Sequence, residues 1–243
     1  MLSTVTSIAA DPDTRVFEMR TYYAAEGKLD ELHARFRNHT LALFEKHGIT
    51  SIGYWTPIQN AENKLIFVLA SPSREGRDAS WKAFSADPEW QKALAASEAN
   101  GKLVARMEQL FMKATDYSPE IKPAIGGGER VFEMRTYTTT PGNLGALDSR
   151  FRDHTVKLFA KHGMTNLFYW HLTPDQKDAE NTLLYLLAHA SPEAAKASFD
   201  KFRQDPDWDA ARKASEAKAG GSLTVKDGVK SLFLKATDYS PTR

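Results

Sequence analysis

The sequence predicts an α+β fold in which two tandem ferredoxin-like β-α-β-β-α-β repeats close into one intramolecular eight-stranded barrel. Three observations carry this. The string RVFEMRTY stands at residues 15–22 and returns at 130–137, an offset of 115. Further pairs keep the same order: RFRNHT (35–40) with RFRDHT (150–155), ENKLIFVLA (62–70) with ENTLLYLLA (180–188), and FMKATDYSP (111–119) with FLKATDYSP (233–241). The offset grows only where turn residues cluster, as loop insertions should. Finally, each copy reads strand, helix, two strands, helix, strand, which is the ferredoxin-like order.

Each element has a local reason. VFEMRTY is rich in β-branched and aromatic residues and predicts a strand. Leu29, Leu32, Phe36, Leu43 and His47 recur at helical spacing, and Gly48 and Gly163 stand where a helix stops. ITSIGYWT predicts a second strand, KLIFVLA a third and RMEQLFMKAT a fourth. The second helix is expected to break in two, because Asp87–Pro88 and Asp205–Pro206 place an N-cap acid before a first-turn proline. Such a unit covers one sheet face with helices and leaves the other for a second sheet. Two four-stranded sheets make an eight-stranded barrel, whose interior holds packed side chains or one small ligand. The expected division is a lead over 1–14, a repeat over 15–117, a Pro/Gly-rich linker over 118–129 and a repeat over 130–239.

Composition narrows function. The 243 residues carry a net charge of +1 with acids and bases interleaved, which excludes a nucleic-acid footprint and disfavours an anionic membrane surface. Cysteine is absent, so disulfides, thiolate catalysis and Cys-ligated metals are excluded and a cytoplasmic location is expected. The lead has no basic and apolar signal pattern, and no run approaches a membrane span.

Within VFEMRTY one face carries Phe17, Met19 and Thr21 and the other Glu18, Arg20 and Tyr22. The apolar set is expected against the helices. Glu18, Arg20 and Tyr22, with Glu133, Arg135 and Tyr137, are then expected to line the barrel, as an ion-pair ladder or as ligand contacts. Trp55 and Trp170 join the same candidate set. His39 and His154 read as core histidines or, alternatively, as a general base or haem ligand. His47 and His162 complement helix C-termini. No metal-ligand spacing, phosphate loop or nucleophile elbow is found, so no metal and no cofactor are expected. The ATDYSP ends read as local turns. Gly53 faces Phe168 in the repeat alignment, and the expectation is one pocket per chain, open near Gly53 and plugged near Phe168.

FEMRTY, a helix ending H…LF.KHG, GYW and ADPEW together resemble the NIPSNAP family, across both copies. The resemblance implies the dimeric α+β barrel group, whose neighbouring families include cofactor-free monooxygenases and haem enzymes. In animals it implies roles in vesicle trafficking and mitochondria. Function is therefore expected to be binding of a small apolar or aromatic molecule in a barrel cavity. The alternatives are a cofactor-independent oxygenase or isomerase, and a packed scaffold for protein–protein interaction. A small-molecule ligand and self-association are the expected partners.

Overall fold

The computed structural model describes residues 13–126 and 129–243. Most of the expected lead therefore lies outside the described residues, as do Gly127 and Gly128 of the linker. Copy one contributes β1 (Val16–Ala24), β2 (Thr50–Pro57), β3 (Lys64–Ser71) and β4 (Val104–Ala114). Copy two contributes β5 (Val131–Thr139), β6 (Thr165–Leu172), β7 (Thr182–His189) and β8 (Thr224–Ala236). They form a closed barrel in the order β1-β3-β2-β8-β5-β7-β6-β4. The seams are antiparallel and repeat each other: Trp55 lies opposite Ala236 between β2 and β8, and Trp170 opposite Ala114 between β4 and β6. Closure leaves no open sheet edge, which is why one copy needs the other.

The helices lie outside the barrel. In copy one, α1 (Leu29–Arg35) and α2 (Leu41–Lys46) are joined by a π-helical turn, Phe36–Thr40. Copy two repeats this with α5 (Leu144–Arg150), the turn Phe151–Thr155 and α6 (Val156–Lys161). Helical periodicity gives no sign of this extra residue. The buried threonine of each turn donates back five residues, from Thr40 Oγ1 to the Arg35 carbonyl (3.2 Å) and from Thr155 Oγ1 to the Arg150 carbonyl (3.1 Å). Thr40→Val removes this additional bond to the Arg35 carbonyl and is expected to cost about 0.5–1.5 kcal/mol. A urea midpoint within error of the parent would show that the hydroxyl is dispensable.

The second helix breaks as expected, into α3 (Arg74–Ala86) and α4 (Pro88–Ser97), and into α7 (Pro192–Gln204) and α8 (Pro206–Ala219). Asp87 Oδ1 accepts from the Glu89 amide at 2.8 Å, and Asp205 Oδ1 from the Asp207 amide at 2.9 Å. Their second oxygens meet His47 Nε2 at 2.7 Å and His162 Nε2 at 2.6 Å. These histidines therefore do more than face a helix dipole: each ties the end of one helix to the N-cap of another. Lys46 and His47, and likewise Lys161 and His162, hold the two aspartates well below the usual carboxylate range. Gly48 and Gly163 end the preceding helices at φ of +70° and +80°, where a Cβ would be strained.

The ATDYSP ends are not merely local turns. Tyr239 stacks on Phe36 of the other copy at 6.2 Å and 10°, and Tyr117 on Phe151 at 6.2 Å and 28°. Arg37 grips Asp238 through two 2.7 Å bonds, and Arg152 grips Asp116 in the same way. Each copy's last strand thus runs on to latch the helix layer of its neighbour.

Candidate functional site

The barrel interior is occupied by one continuous apolar cluster. It includes Phe17, Trp55, Met112, Phe132, Trp170 and Leu234, all fully buried, with Met19 packed against it. The strand parity is therefore the reverse of the expected one. Phe17 and Met19 point inward, whereas Glu18, Arg20 and Tyr22, like Glu133, Arg135 and Tyr137, lie on the helix side. Two apolar faces had to be filled, and alternation alone does not say which is which. Pairing goes with the observed parity: on the helix side the buried carboxylates meet donors, Arg77 and Trp81 of the helix layer for Glu18 and His189 and Ser231 of neighbouring strands for Glu133.

In copy one, Arg20 Nε donates to Glu18 Oε1 at 2.5 Å, and Arg77 of α3 donates to both Glu18 oxygens at 2.8 Å. Trp81 Nε1 adds a bond at 3.0 Å and Gln109 a further one. The Arg20 guanidinium lies 3.6 Å from the Trp81 ring centroid. Burial pushes the Glu18 carboxyl up, but the Arg77 and Arg20 cations outweigh it and hold it below its ordinary value. Every lone pair is used, so this cluster is an ion-pair staple between sheet and helix. Tyr22 packs edge-on against Phe36 and Phe67, and Tyr137 against Phe151 and Tyr185.

Copy two holds the same carboxylate with different donors. Glu133 accepts from Arg135 and Ser231, both at 2.5 Å, and pairs with His189 Nε2 at 3.0 Å. Alanine at 195 stands where copy one has Arg77, and phenylalanine at 199 where it has Trp81.

Trp55 and Trp170 do face the barrel interior, but as packing. The space above Gly53 is not open, because a Cβ there would sit 2.2 Å from Cη2 of Trp55. The glycine exists so that the Trp55 indole can fold back over its own strand. Its counterpart Phe168 instead packs on Trp170, with ring centroids 5.4 Å apart. The expectation of an opening near Gly53 is thereby overturned.

His39 and His154 are exposed on the outer faces of the π turns, so the core reading of both is also overturned. They border clefts between the helices of each copy. Among the described residues, no cluster of three or more histidines and acids could hold a metal.

The apolar opening lies instead at one end of the barrel. A cavity of about 460 Å³ forms beside the start of β5 and the ends of β7 and β8. Its walls include Ile58, Val131, Phe132 and Ala236, with Arg130, Lys235 and Arg243 and the acids Glu129 and Asp238 around them. Arg130 Nη2 donates to the carbonyl of Ala124 (2.6 Å) and to the main-chain oxygen of Arg243 (2.9 Å), and its guanidinium lies 5.3 Å from the Phe132 ring centroid. Its buried Nε meets no acceptor, and no side-chain carboxylate pairs with it among the described residues. Burial accordingly pushes the Arg130 guanidinium below its ordinary value.

Copy one shows the same place closed. Arg15, the counterpart of Arg130, is paired with Asp13 at 2.6 Å and bonds to the Ile121 carbonyl at 2.5 Å. Ile121 is fully buried in the barrel cluster, whereas its counterpart is Arg243. The cavity is therefore built mainly from copy two, the opposite copy from the one expected. Sequence reasoning passed over Arg130, although it opens the repeated string. The signal was two residues upstream: Asp13 precedes Arg15, while a glycine, Gly128, precedes Arg130.

Comparison with known proteins agrees with this architecture. The NIPSNAP family model matches residues 17–119 and again 132–241. The chain belongs to the NIPSNAP family. A NipSnap homolog from Dictyostelium discoideum is 24% identical over 208 residues, covering 85% of this chain and 82% of its own. Among solved structures, a proposed monooxygenase from Lactobacillus acidophilus NCFM superposes with a TM-score of 0.57 at 12% identity, covering 95% of this chain and 97% of its own. An anthrone oxidase-like protein superposes at 0.54 and 13% identity, covering 97% of each chain. At these identities the likeness shows a shared α+β barrel fold. For this NIPSNAP protein the activity is unassigned, and no helix among its described residues is long and apolar enough to cross a membrane.

Proposed function

We propose that this NIPSNAP protein binds a small molecule with an apolar or aromatic body and one anionic group, in the barrel-end cavity of copy two. One observation carries the reading: Arg130 borders an apolar cavity without the acid that neutralises Arg15 in the other copy. A half-buried cation beside apolar walls favours a ligand that brings its own charge. Lys235 and Arg243 share the rim with Glu129 and with Asp238, whose carboxylate is held by Arg37. The name of one fold neighbour, the anthrone oxidase-like protein, suits an aromatic ligand, and only that ligand shape is extended to this chain. The absence of cysteine supports a reducing, cytoplasmic location, which fractionation of the native cell would test.

The test is calorimetric titration with decanoate and with 1-naphthoate. One site per chain is expected, with Arg130→Gln binding about 10- to 100-fold more weakly, the value of one lost charge-assisted bond. Because Arg130 also braces the C-terminal residues, Ala236→Leu serves as a second variant that narrows the cavity and leaves the bracing intact. Absence of binding by both probes at millimolar concentration, or equal affinity in both variants and the parent, overturns the proposal.

A further inference from the structure

A second arginine of copy two has also lost its acid, and here the cause can be followed residue by residue. Arg35 and Arg150 are counterparts at the ends of α1 and α5, and both are buried, at 5% and 7% exposure. In copy one Arg35 Nη1 bonds to Glu98 Oε1 of the α4 end at 2.9 Å and to Ser97 Oγ at 3.3 Å. In copy two the serine is kept: Arg150 Nη1 bonds to Ser215 Oγ, again at 3.3 Å. The glutamate is kept as well, as Glu216, yet it does not reach Arg150. It accepts instead from Arg212 Nη1 at 2.8 Å, one helical turn away. Arg212 stands where copy one has Leu94. That single difference supplies a competing cation at i,i+4 spacing, and Asp209, the counterpart of Gln91, fixes it from the other side at 2.9 Å.

Arg150 is left buried against the Trp208 ring, 5.0 Å from its centroid. Its Nε meets no acceptor, which is equally true of Arg35, but unlike Arg35 it has no carboxylate within 4 Å among the described residues. Burial pushes its guanidinium below the ordinary value. It opens onto a cavity of about 370 Å³ between α5 and α8. The polar walls are Asn143, Ser149, His154, Ser215 and Lys218, with Asp153 the one acid. Small side chains, Ala146, Ala211 and Ala214, keep the space clear.

We propose that this cleft is an oxyanion site, separate from the barrel-end cavity, in which Arg150, Ser215 and Lys218 take the phosphate or carboxylate group of a small polar molecule. A planar guanidinium presents parallel donors to such a group. The flanking hydroxyls and lysine add donors, and nothing in the walls offers a large apolar face. The ligand replaces the carboxylate that Glu98 supplies in copy one. Both counterparts bury an arginine, and in copy two its counter-ion is exchangeable.

The decisive variant is Arg212→Leu, which restores the copy-one residue and leaves Arg150, Ser215 and Lys218 in place. Without Arg212, Glu216 is expected to return to Arg150 and occupy the site from within. Inorganic phosphate is the probe, titrated calorimetrically at constant ionic strength against chloride, with formate as the carboxylate probe. The parent is expected to bind one phosphate or one formate per chain at this site. Arg212→Leu is expected to bind at least 10-fold more weakly while melting no lower than the parent. Lys218→Gln, at the exposed rim, is expected to weaken binding several-fold. The proposal is overturned if neither probe produces heat beyond chloride, or if Arg212→Leu and Lys218→Gln both bind as the parent does. Arg130→Gln, which alters the other cavity, is expected to leave phosphate binding unchanged; loss of binding in that variant would place the anion at the barrel end and equally overturn the assignment.

Discussion

Glu18→Ala is expected to remove about 3–5 kcal/mol of folding stability at neutral pH, the range found when one partner of a buried ion pair is deleted. Glu18 is 2% exposed and is the common acceptor of Arg20, Arg77, Trp81 and Gln109. Its loss leaves the Arg20 guanidinium under the helix layer with no counter-ion and Arg77 with Asp78 alone. Chemical denaturation at pH 7 measures it, and a change below about 1 kcal/mol would show that water reaches the site and solvates both arginines. The pH dependence has a definite sign. The folded carboxyl lies below its unfolded value, so its contribution is complete above about pH 4.3. It is lost as pH falls from there through the folded value. The parent should therefore lose stability on acidification more steeply than Glu18→Ala. Glu133→Ala is expected to cost less than Glu18→Ala, because Glu133 takes bonds from one arginine where Glu18 takes them from two.

Gly53→Phe is expected to cost about 3–5 kcal/mol, although it writes into copy one the residue that copy two carries. The reason is the Trp55 ring, which already fills the position: even a Cβ would lie 2.2 Å from Cη2 and 2.3 Å from Cζ2. Trp55 is fully buried and packs on Phe132 at 5.8 Å, so its ring has to leave the barrel core. Phe168→Gly is expected to cost a similar amount for the opposite reason, a void beside Trp170. The two are measured by chemical denaturation with a folded-state near-ultraviolet spectrum. A Gly53→Phe variant as stable as the parent would mean that Trp55 has another rotamer of equal energy.

The repeat, the order of elements and the broken second helix were legible because they rest on local chemistry. A strand such as VFEMRTY, an Asp–Pro pair at a helix start and a glycine at a helix end act within a few residues of themselves. The π turns were not legible, since Thr40 and Thr155 look like any polar helix residue until their hydroxyls are seen to hold carbonyls five residues back. Strand parity was not legible either. Both faces of β1 are buried, and alternation distinguishes two sets of residues without saying which set faces which layer.

By itself, then, the sequence determined two α+β repeats and the need of each sheet for the other. The tertiary structure alone decided where the open sites lie. Arg130 and Arg150 are arginines in the repeats as ordinary as Arg15 and Arg35. What distinguishes them is a missing acid: a glycine two residues upstream of Arg130, and for Arg150 a glutamate drawn off by Arg212. Charge in a sequence is a count, whereas charge in a fold is a set of distances. Only those distances show which cations still lack a partner.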